Sequence, residues 1–285
     1  MIFITGITGR VGSSAARYLL KHGLDVKGLT RDSAKAIDLA ALGADIIEGD
    51  ISDDTLIKNT LKGVSAVLLV TGNGPHQLEA ECLIARESAA AGVQHIVKIS
   101  SMEASPTATA PIPVVHFKVE KYIEEIGLTY TFLRPNFFMQ NLMLFAQSIK
   151  MSDQFSLPLG KAKTGIIDAN DVGEIAGIIA SSIPETSSVR KLTGGTLLDF
   201  HEVAELISNE LGKLVTYNEQ SHDDFHALLA RTIPSPWHVE AVSLLFKEIA
   251  NGALESTTSD AEDILGRPLT DVRGFVARHK PAFIR

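Results

Sequence analysis

The chain of 285 residues is 45% hydrophobic and 21% charged, a balance typical of a globular protein with a substantial apolar core. Its net charge of −8 argues against direct nucleic-acid binding, and no apolar run approaches the ~20 residues that cross a bilayer. The first residues enter a strand and a turn rather than a basic and apolar leader. We therefore expect no signal peptide, no membrane association and a cytoplasmic location.

Strand-like and helical patterns alternate through the first half of the chain. Strands are predicted at Met1–Thr5, Asp25–Thr30, Ala44–Glu48, Ala66–Thr71, His95–Ser100 and Thr129–Leu133, with helices at 33–42, 53–61 and 76–92. Several strands are apolar almost throughout, which indicates burial on both faces. Glycines follow the helical runs where C-caps are expected, at Gly23, Gly43, Gly63, Gly92 and Gly127. The pattern predicts a Rossmann-type, doubly wound parallel α/β sheet.

The alternation is less regular from about residue 152. The sequence predicts a helix capped at Asp168 or Asn170, a strand at 191–195, helices at 199–212 and 233–252, and two short helices at the end. We therefore divide the chain into an NAD(P)-binding domain, 1–151, and a smaller α/β lobe, 152–285, whose segments can interleave. Such a lobe would cover the cofactor cleft and supply the acceptor pocket. Trp237 is interpreted either as a residue that closes this pocket or as a packed core or surface residue.

A glycine turn follows the first strand directly. The segment IFITGITGRVG (2–12) places Gly6, Gly9 and Gly12 between an apolar strand and a helical pattern. In this arrangement Gly6 allows a tight turn, Gly9 lets a phosphate approach the backbone, and Gly12 lets the helix pack close to the strand. The spacing GxxGxxG differs from the dehydrogenase fingerprint, but its position between strand and helix predicts a dinucleotide site.

The residue after the second strand distinguishes NADP from NAD. Arg31 occupies that position, and a guanidinium group can bind a ribose 2′-phosphate in a bidentate manner. Asp32, one residue further, is expected to cap the helix that begins at Ser33. We therefore expect NADP(H) as the preferred cofactor, with NAD(H) as an option. The alternative for Arg31 is a solvated surface charge.

Polar residues also lie at the carboxyl ends of the third, fourth and fifth predicted strands. Asp50 either contacts the adenine amino group or caps the helix over 53–61. Thr71 and Gly72 end the fourth strand, and Ser100 and Ser101 end the fifth. Since ligands of open parallel sheets lie outside the carboxyl ends of the strands, these residues are expected to line the cofactor cleft.

Cysteine and metal chemistry receive little support. Cys82 is the only cysteine, so no intrachain disulfide forms, and its helical context predicts an inert buried thiol rather than a redox centre. No group of His, Cys and acidic residues has the spacing of a metal site, so no metal is expected.

Several segments together resemble the NmrA-like family of atypical short-chain dehydrogenases/reductases. They are TGITGRVG (5–12), the Arg31 position, GDISD (49–53), GLTYTFLRPNFFMQN (127–141) and the tail SDAEDILGRPLTDVRGFVARH (259–279). The resemblance covers essentially the whole chain, and within the family it is greatest to bacterial NAD(P)H-dependent quinone, azo-dye and triphenylmethane-dye reductases. The same family contains redox-sensing proteins with little or no catalysis, including a transcriptional co-repressor.

The resemblance implies a set of cofactor contacts. Arg31 would bind the ribose phosphate, Asp50 and Ile51 would flank adenine, and Asn136 would bond the nicotinamide carboxamide. Phe137 and Phe138 are interpreted either as neighbours of the nicotinamide or as plain core residues. The complete set of implied cofactor residues is Gly6, Thr8, Gly9, Arg10, Val11, Gly12, Arg31, Asp50, Ile51, Thr71, Gly72, Ser100, His116, Pro135, Asn136, Phe137 and Phe138.

The Tyr-x-x-x-Lys pair of typical short-chain dehydrogenases is absent, because none of the four tyrosines has a lysine four residues later. By comparison with related plant reductases, Ile112 and His116 occupy these two positions. His116 is therefore the candidate catalytic residue: it would bond the nicotinamide ribose, or protonate substrate as an imidazole with a pKa near ~6.5. Glu120, one helical turn later, either orients its imidazole or is simply solvated. The alternative for His116 is a helix-start histidine without a chemical role.

These observations lead to two hypotheses. The first is an NAD(P)H-dependent oxidoreductase that transfers hydride to a quinone, azo or other conjugated acceptor. Such acceptors mainly need positioning beside the cofactor and need a general acid less than a ketone does. The second is a non-catalytic NADP(H)-binding redox sensor that acts through a protein partner, which the missing Tyr-Lys pair favours. The expected partner is a small conjugated molecule, and a homodimer is left open.

Overall fold

The computed structural model describes all 285 residues and contains nine strands and thirteen α-helices. The strands are β1 (Ile2–Ile4), β2 (Val26–Thr30), β3 (Asp45–Glu48), β4 (Ala66–Leu69), β5 (His95–Ile99), β6 (Tyr130–Pro135), β7 (Gln154–Leu157), β8 (Ser188–Leu192) and β9 (Thr216–Glu219). The helices are α1 (Arg10–Lys21), α2 (Ile37–Ala41), α3 (Asp54–Thr60), α4 (Gln77–Ala90), α5 (Pro111–Glu125), α6 (Ala146–Ser152), α7 (Ala169–Ser182), α8 (Phe200–Leu211), α9 (His222–Thr232), α10 (Pro236–Ala250), α11 (Asp260–Leu265), α12 (Val272–Arg278) and α13 (Lys280–Phe283). Two 3₁₀ segments span Ser33–Ala36 and Met139–Phe145.

Seven strands form one parallel sheet in the order β3-β2-β1-β4-β5-β6-β8. Alternate residues of β1 enter different cores, because Ile2 and Ile4 pack on the side of α1 and α7 whereas Phe3 packs on the side of α3, α4 and α5. Burial on both faces is what the apolar strands predict. The predicted Rossmann-type, doubly wound parallel sheet is thereby confirmed.

The helices α1 and α7 approach each other closely on one face of the sheet. A Cβ atom at Gly173 would lie 2.5 Å from Cβ of Ser14, and one at Gly177 would lie 2.8 Å from Cδ1 of Tyr18. Since α7 follows residue 152 in the chain, a segment from the second half completes the layer beside the glycine turn. β8 likewise joins the main sheet next to β6. α7 and β8 thus lie with the main sheet although they follow residue 152 in the chain. The division into two domains at residues 151 and 152 stays a prediction.

The lobe has its own core and its own small sheet. β7 pairs with β9 in parallel, and the aromatic rings of Phe155, Phe200 and Tyr217 pack between this sheet and α8. Neither of these strands was predicted, nor was α9. α8 corresponds to the predicted helix at 199–212: Asp199 and Glu202 form a reciprocal capping box, and Gly212 ends it with a φ of 69°.

Several predicted helix caps are confirmed. Asp168 caps α7, since its side chain accepts a hydrogen bond from the amide of Asn170. Asp32 caps the 3₁₀ segment through the amide of Ala34. The predicted helix at 33–42 is a 3₁₀ segment followed by α2. No helix is both long and apolar enough to cross a membrane.

Candidate cofactor and active site

The glycine turn brings the start of α1 against the end of β1. A Cβ atom at Gly6 would lie 2.5 Å from the carbonyl oxygen of Val70, and one at Gly12 would lie 2.1 Å from the carbonyl oxygen of Gly6. A side chain at either position would thus collide with backbone. Gly9 precedes α1, and its amide donates to the carbonyl oxygen of Gly6 over 3.0 Å. This is the tight turn and close helix packing that the sequence predicts.

The first amides of α1 have no acceptor within the chain. Arg10, Val11 and Gly12 donate to no backbone or side-chain oxygen, and the adjacent Thr8 is exposed. Free amides at the positive end of a helix dipole form an anion-binding site. The turn leaves no room for side chains and presents free donors, so these residues fit the pyrophosphate of a dinucleotide.

Arg31, at the end of β2, presents a free guanidinium group. Its side chain is exposed and forms no hydrogen bond or ion pair within the chain. The nearby Lys35 is different, because its ammonium group lies 3.5 Å from the Asp32 carboxylate. Arg31 is therefore free to bind a phosphate group at the carboxyl end of β2.

Of the two alternatives for Asp50, the one in which it caps the helix over 53–61 is wrong. Asp53 caps α3 instead, with Oδ1 accepting from the amide of Leu56 over 3.0 Å. The Asp50 carboxylate accepts hydrogen bonds from the amide (2.9 Å) and hydroxyl (2.6 Å) of Ser52. These bonds lower the pKa of Asp50, with a smaller contribution from the charge of Arg31. The adjacent Ile51 is partly buried against the core. The predicted adenine contact of Asp50 and Ile51 stays a prediction.

A buried polar network connects the ends of β4 and β5. The hydroxyl of Thr71 donates to the carboxylate of Glu81 on α4, which also accepts from Nε2 of Gln77 over 3.0 Å. The other Glu81 oxygen accepts from the ammonium group of Lys98 on β5, and the side chains of Glu81 and Lys98 are both fully buried. A Cβ atom at Gly72, beside Thr71, would meet no atom within 4 Å.

His116, the predicted catalytic residue, lies on α5 beside this network. Its Nδ1 is 3.2 Å from the ammonium nitrogen of Lys98, and its side chain is largely buried. Burial and the Lys98 charge hold the pKa of His116 well below its usual range. The alternative in which the His116 imidazole titrates near pH ~6.5 is therefore wrong, whereas its catalytic role stays a prediction. Because an ammonium group only donates, Nδ1 is the acceptor and the ring proton is on Nε2, which has no partner within the chain.

Glu120 does not orient His116. One oxygen of its carboxylate accepts from the hydroxyl of Ser100 over 2.6 Å and from Nε of Arg134 over 2.9 Å, and the other accepts from Nη2 of the same arginine. This bidentate pair joins the second half of α5 to β6. The orienting partner of His116 is Lys98, which sequence analysis missed. A lysine in the apolar run HIVKI was the available signal, because a buried charge requires a partner.

The segment after β6 is mostly engaged within the protein. Asn136 accepts from the amide of Phe137 over 2.7 Å, and its Nδ2 donates to the carbonyl oxygen of Leu254 over 3.1 Å. Nδ2 keeps a second N–H and Oδ1 a second lone pair, so the nicotinamide contact of Asn136 stays a prediction. Phe137 packs edge-to-face on Phe200 with ring centroids 5.5 Å apart, which makes its ring part of the lobe core. Pro135 is buried at the end of β6.

Phe138 contacts the other core. It pairs with Ile167 in an isolated parallel bridge and packs on the core between the sheet and α1.

α10 joins the lobe to the nucleotide-binding half at two places. Oε1 of Glu248 accepts from the amide and hydroxyl of Thr109 and from the amide of Ala110, each over 2.7 Å, at the start of α5. Nε2 of His238 lies 2.8 Å from the carbonyl oxygen of Asn73 in the loop after β4. Trp237 packs edge-to-face on His238, with ring centroids 5.0 Å apart.

Cys82 and the side chains that could bind a metal add little to the candidate site. Cys82 is partly buried rather than fully buried, and burial and the neighbouring Glu81 raise the pKa of its thiol to about 11, which disfavours the reactive thiolate. No group of three or more His, Cys, Asp or Glu side chains is arranged to hold a metal ion.

The parallel sheet, the glycine turn and the free helix amides define a dinucleotide-binding protein of the Rossmann class. The model of the NmrA-like family matches residues 1–276, and the chain belongs to this family.

Relatives with known activities match almost the whole chain. It is 30% identical over 284 residues to an NAD(P)H azoreductase of Xenophilus azovorans, with 99% of both chains covered. It is similar to the crystal structure of an NADPH-dependent quinone oxidoreductase from Escherichia coli, with 25% identity, a TM-score of 0.86, and 98% and 100% of the two chains covered. A triphenylmethane reductase of Citrobacter sp. shares the fold, with 22% identity, a TM-score of 0.87 and 99% of each chain covered.

Proposed function

We propose that this protein binds NADPH along the carboxyl ends of β1, β2, β4 and β5 and reduces a quinone, azo or other conjugated acceptor. The observation that carries the proposal is the combination of free α1 amides with an unpaired Arg31 at the next strand end. The full-length similarity to an NAD(P)H azoreductase supports the same reaction class.

The cofactor would be held mainly by backbone. The amides of Arg10, Val11 and Gly12 would bind the pyrophosphate, with Thr8 beside them, and Arg31 would bind the 2′-phosphate. NADH lacks that phosphate, so the same site would accept it with lower affinity. The further residues proposed to contact the cofactor are Asp50, Ile51, Thr71, Gly72, Ser100 and the segment 135–138.

Bound NADPH supplies a hydride to an electron-poor acceptor. The part of His116 is to donate a hydrogen bond from Nε2 to the oxygen or nitrogen on which negative charge develops. A neutral imidazole suits this role, because it stabilises charge without releasing its own proton. The proton that completes the reduced product would come from water. No tyrosine-lysine pair is available for alcohol chemistry, which favours conjugated acceptors over simple ketones.

The test is NADPH oxidation by the purified protein with a panel of quinones, azo dyes and triphenylmethane dyes, with NADH in parallel. We expect turnover with at least one conjugated acceptor and a preference for NADPH. Tight NADPH binding without turnover on any acceptor would overturn the reductase and favour a cofactor-binding regulator. Failure to bind either cofactor would overturn both functions.

A further inference from the structure

The ammonium group of Lys98 uses all three of its protons within the chain. It donates to the Glu81 carboxylate, to the carbonyl oxygen of Ile99 over 3.2 Å and to Nδ1 of His116 over 3.2 Å. The Glu81 carboxylate is held in turn by Thr71 and Gln77. Both charged side chains are fully buried, and both Glu81 oxygens and the Lys98 nitrogen have partners within the chain.

Fold stability does not explain this pair. A buried ion pair loses about as much free energy by desolvation as it gains by attraction, and apolar residues of similar volume are often as stable. Lys98 lies in a central strand whose other residues are mainly apolar, where such a residue would pack readily. The presence of this buried ion pair therefore requires an explanation other than the packing of β5 against α4.

The contact with His116 supplies that reason. Because Lys98 occupies Nδ1 as a donor, the ring proton is fixed on Nε2, the only ring nitrogen without a partner in the chain. A histidine without this neighbour would exchange between two tautomers, and in one of them Nε2 would have no proton to donate.

We propose that the Glu81–Lys98 pair is a positioning pair for His116, so that the imidazole presents an N–H at Nε2 to the acceptor. The proposal rests on the reductase function above, since it assigns the donor of that reaction to one tautomer. Glu81 positions Lys98 through the ion pair, and Lys98 positions the imidazole ring through its hydrogen bond to Nδ1. Neither residue needs to touch acceptor or cofactor.

The experiment compares the wild type with the double variant Glu81→Gln/Lys98→Met. Lys98→Met alone would leave a buried, unpaired carboxylate and is expected to unfold the chain. In the double variant, the amide oxygen introduced at position 81 would still accept from Thr71 and Gln77. Ring-¹⁵N histidine labelling reports the tautomer of each of the nine histidines, and the spectrum of His116→Ala identifies the signal of His116.

We expect a single Nε2–H tautomer for His116 in the wild type and a tautomer mixture in the double variant. With a conjugated acceptor, the double variant should lose at least about tenfold in kcat at unchanged NADPH affinity. Adding His116→Ala to the double variant should cost little more, because the two changes remove the same interaction. Lys58→Met, which breaks the exposed ion pair with Asp54 on α3 and leaves no buried charge unpaired, is the control and should alter neither readout.

Two results would overturn the positioning role. One is a double variant that keeps the single Nε2–H tautomer. The other is a His116→Ala effect on kcat that is as large in the double variant as in the wild type. If the wild type turns over no acceptor, the reductase function fails instead, and the ¹⁵N spectra still decide whether the pair sets the tautomer.

Discussion

Oε1 of Glu248 lies 2.7 Å from the backbone nitrogen of Ala110, so a carboxylate of the lobe caps the helix that bears His116. The same oxygen accepts from both donors of Thr109. A carboxylate on free amides at a helix N-terminus is favourable through its hydrogen bonds and through the helix dipole.

Replacing this cap should loosen the start of α5. We expect Glu248→Ala to lower the free energy of unfolding by about 1–2 kcal/mol, measured by urea denaturation. The matched control is Glu240→Ala on the same helix, because Glu240 only pairs with exposed His226 at 3.4 Å. That variant should differ from the wild type by less than about 0.5 kcal/mol. Equal effects of the two variants would contradict the capping role.

Glu103, in the loop between β5 and α5, should make stability depend on pH. Burial, with a smaller contribution from Glu248, raises its pKa from 4.5 to about 7. The native state therefore holds this proton more tightly than the unfolded chain, and the Glu103 contribution to stability falls as pH rises from 4.5 to about 7. Glu103→Gln removes the cost of ionisation.

Urea denaturation at several pH values checks this prediction. Relative to the wild type, Glu103→Gln should gain about 1–3 kcal/mol above pH ~7 and close to nothing below pH ~4.5. Glu79→Gln, at an exposed position of α4, is the control and should show no such difference. A gain that is the same at both ends of the pH range would refute the assignment.

Arg31 should decide between the two nicotinamide cofactors. Arg31→Ala removes a bidentate phosphate contact, so kcat/KM for NADPH should fall by about 10- to 100-fold while that for NADH changes little. Lys35→Ala is the control, because Lys35 is engaged with Asp32. A parallel loss with both cofactors would mean that Arg31 does not bind the 2′-phosphate.

Two glycines at the same edge of the sheet should respond differently to a methyl group. Gly12→Ala places Cβ 2.1 Å from the carbonyl oxygen of Gly6, so α1 must shift, and we expect a loss of about 2 kcal/mol or more in stability together with NADPH binding. Gly72→Ala meets no atom within 4 Å, so it should fold normally.

NADPH titrations then distinguish a loss of stability from the loss of a direct contact with the cofactor. If Gly72 lies against the cofactor, Gly72→Ala weakens NADPH at unchanged stability, whereas Gly74→Ala, which also meets open space, changes neither. Identical NADPH affinity in Gly72→Ala and the wild type would remove Gly72 from the cofactor site.

Local patterns were enough to predict much of the fold. The apolar runs of β1, β4 and β5 and the caps at Asp32 and Asp168 depend on residues close in sequence, and the structure confirms them. β7 and β9 were missed because their sequences, QFSL and TYNE, contain few apolar residues and each pairs with a strand about 60 residues away. Their alternation is too short to be distinguished from a loop.

Local patterns were also not enough to predict the side-chain contacts of the candidate site. Asp50 and Asp53 are both plausible caps in GDISDD, and only the observed start of α3 selects Asp53. Glu120 has the correct spacing to face His116, but Arg134, on a different element, takes its carboxylate. Lys98 reaches His116 from a neighbouring strand, a contact that no helical periodicity contains.

The position of β8 has a consequence for dissecting the protein. The chain leaves the main sheet after β6, contributes to the lobe, and returns through α7 to add β8 at the edge before it leaves again. A fragment that stops at residue 151 would lack the partner of β6 and the helix that covers α1, exposing apolar residues such as Ala15 and Leu19. Such a fragment should aggregate, and exchanging lobes between relatives would require several cuts rather than one.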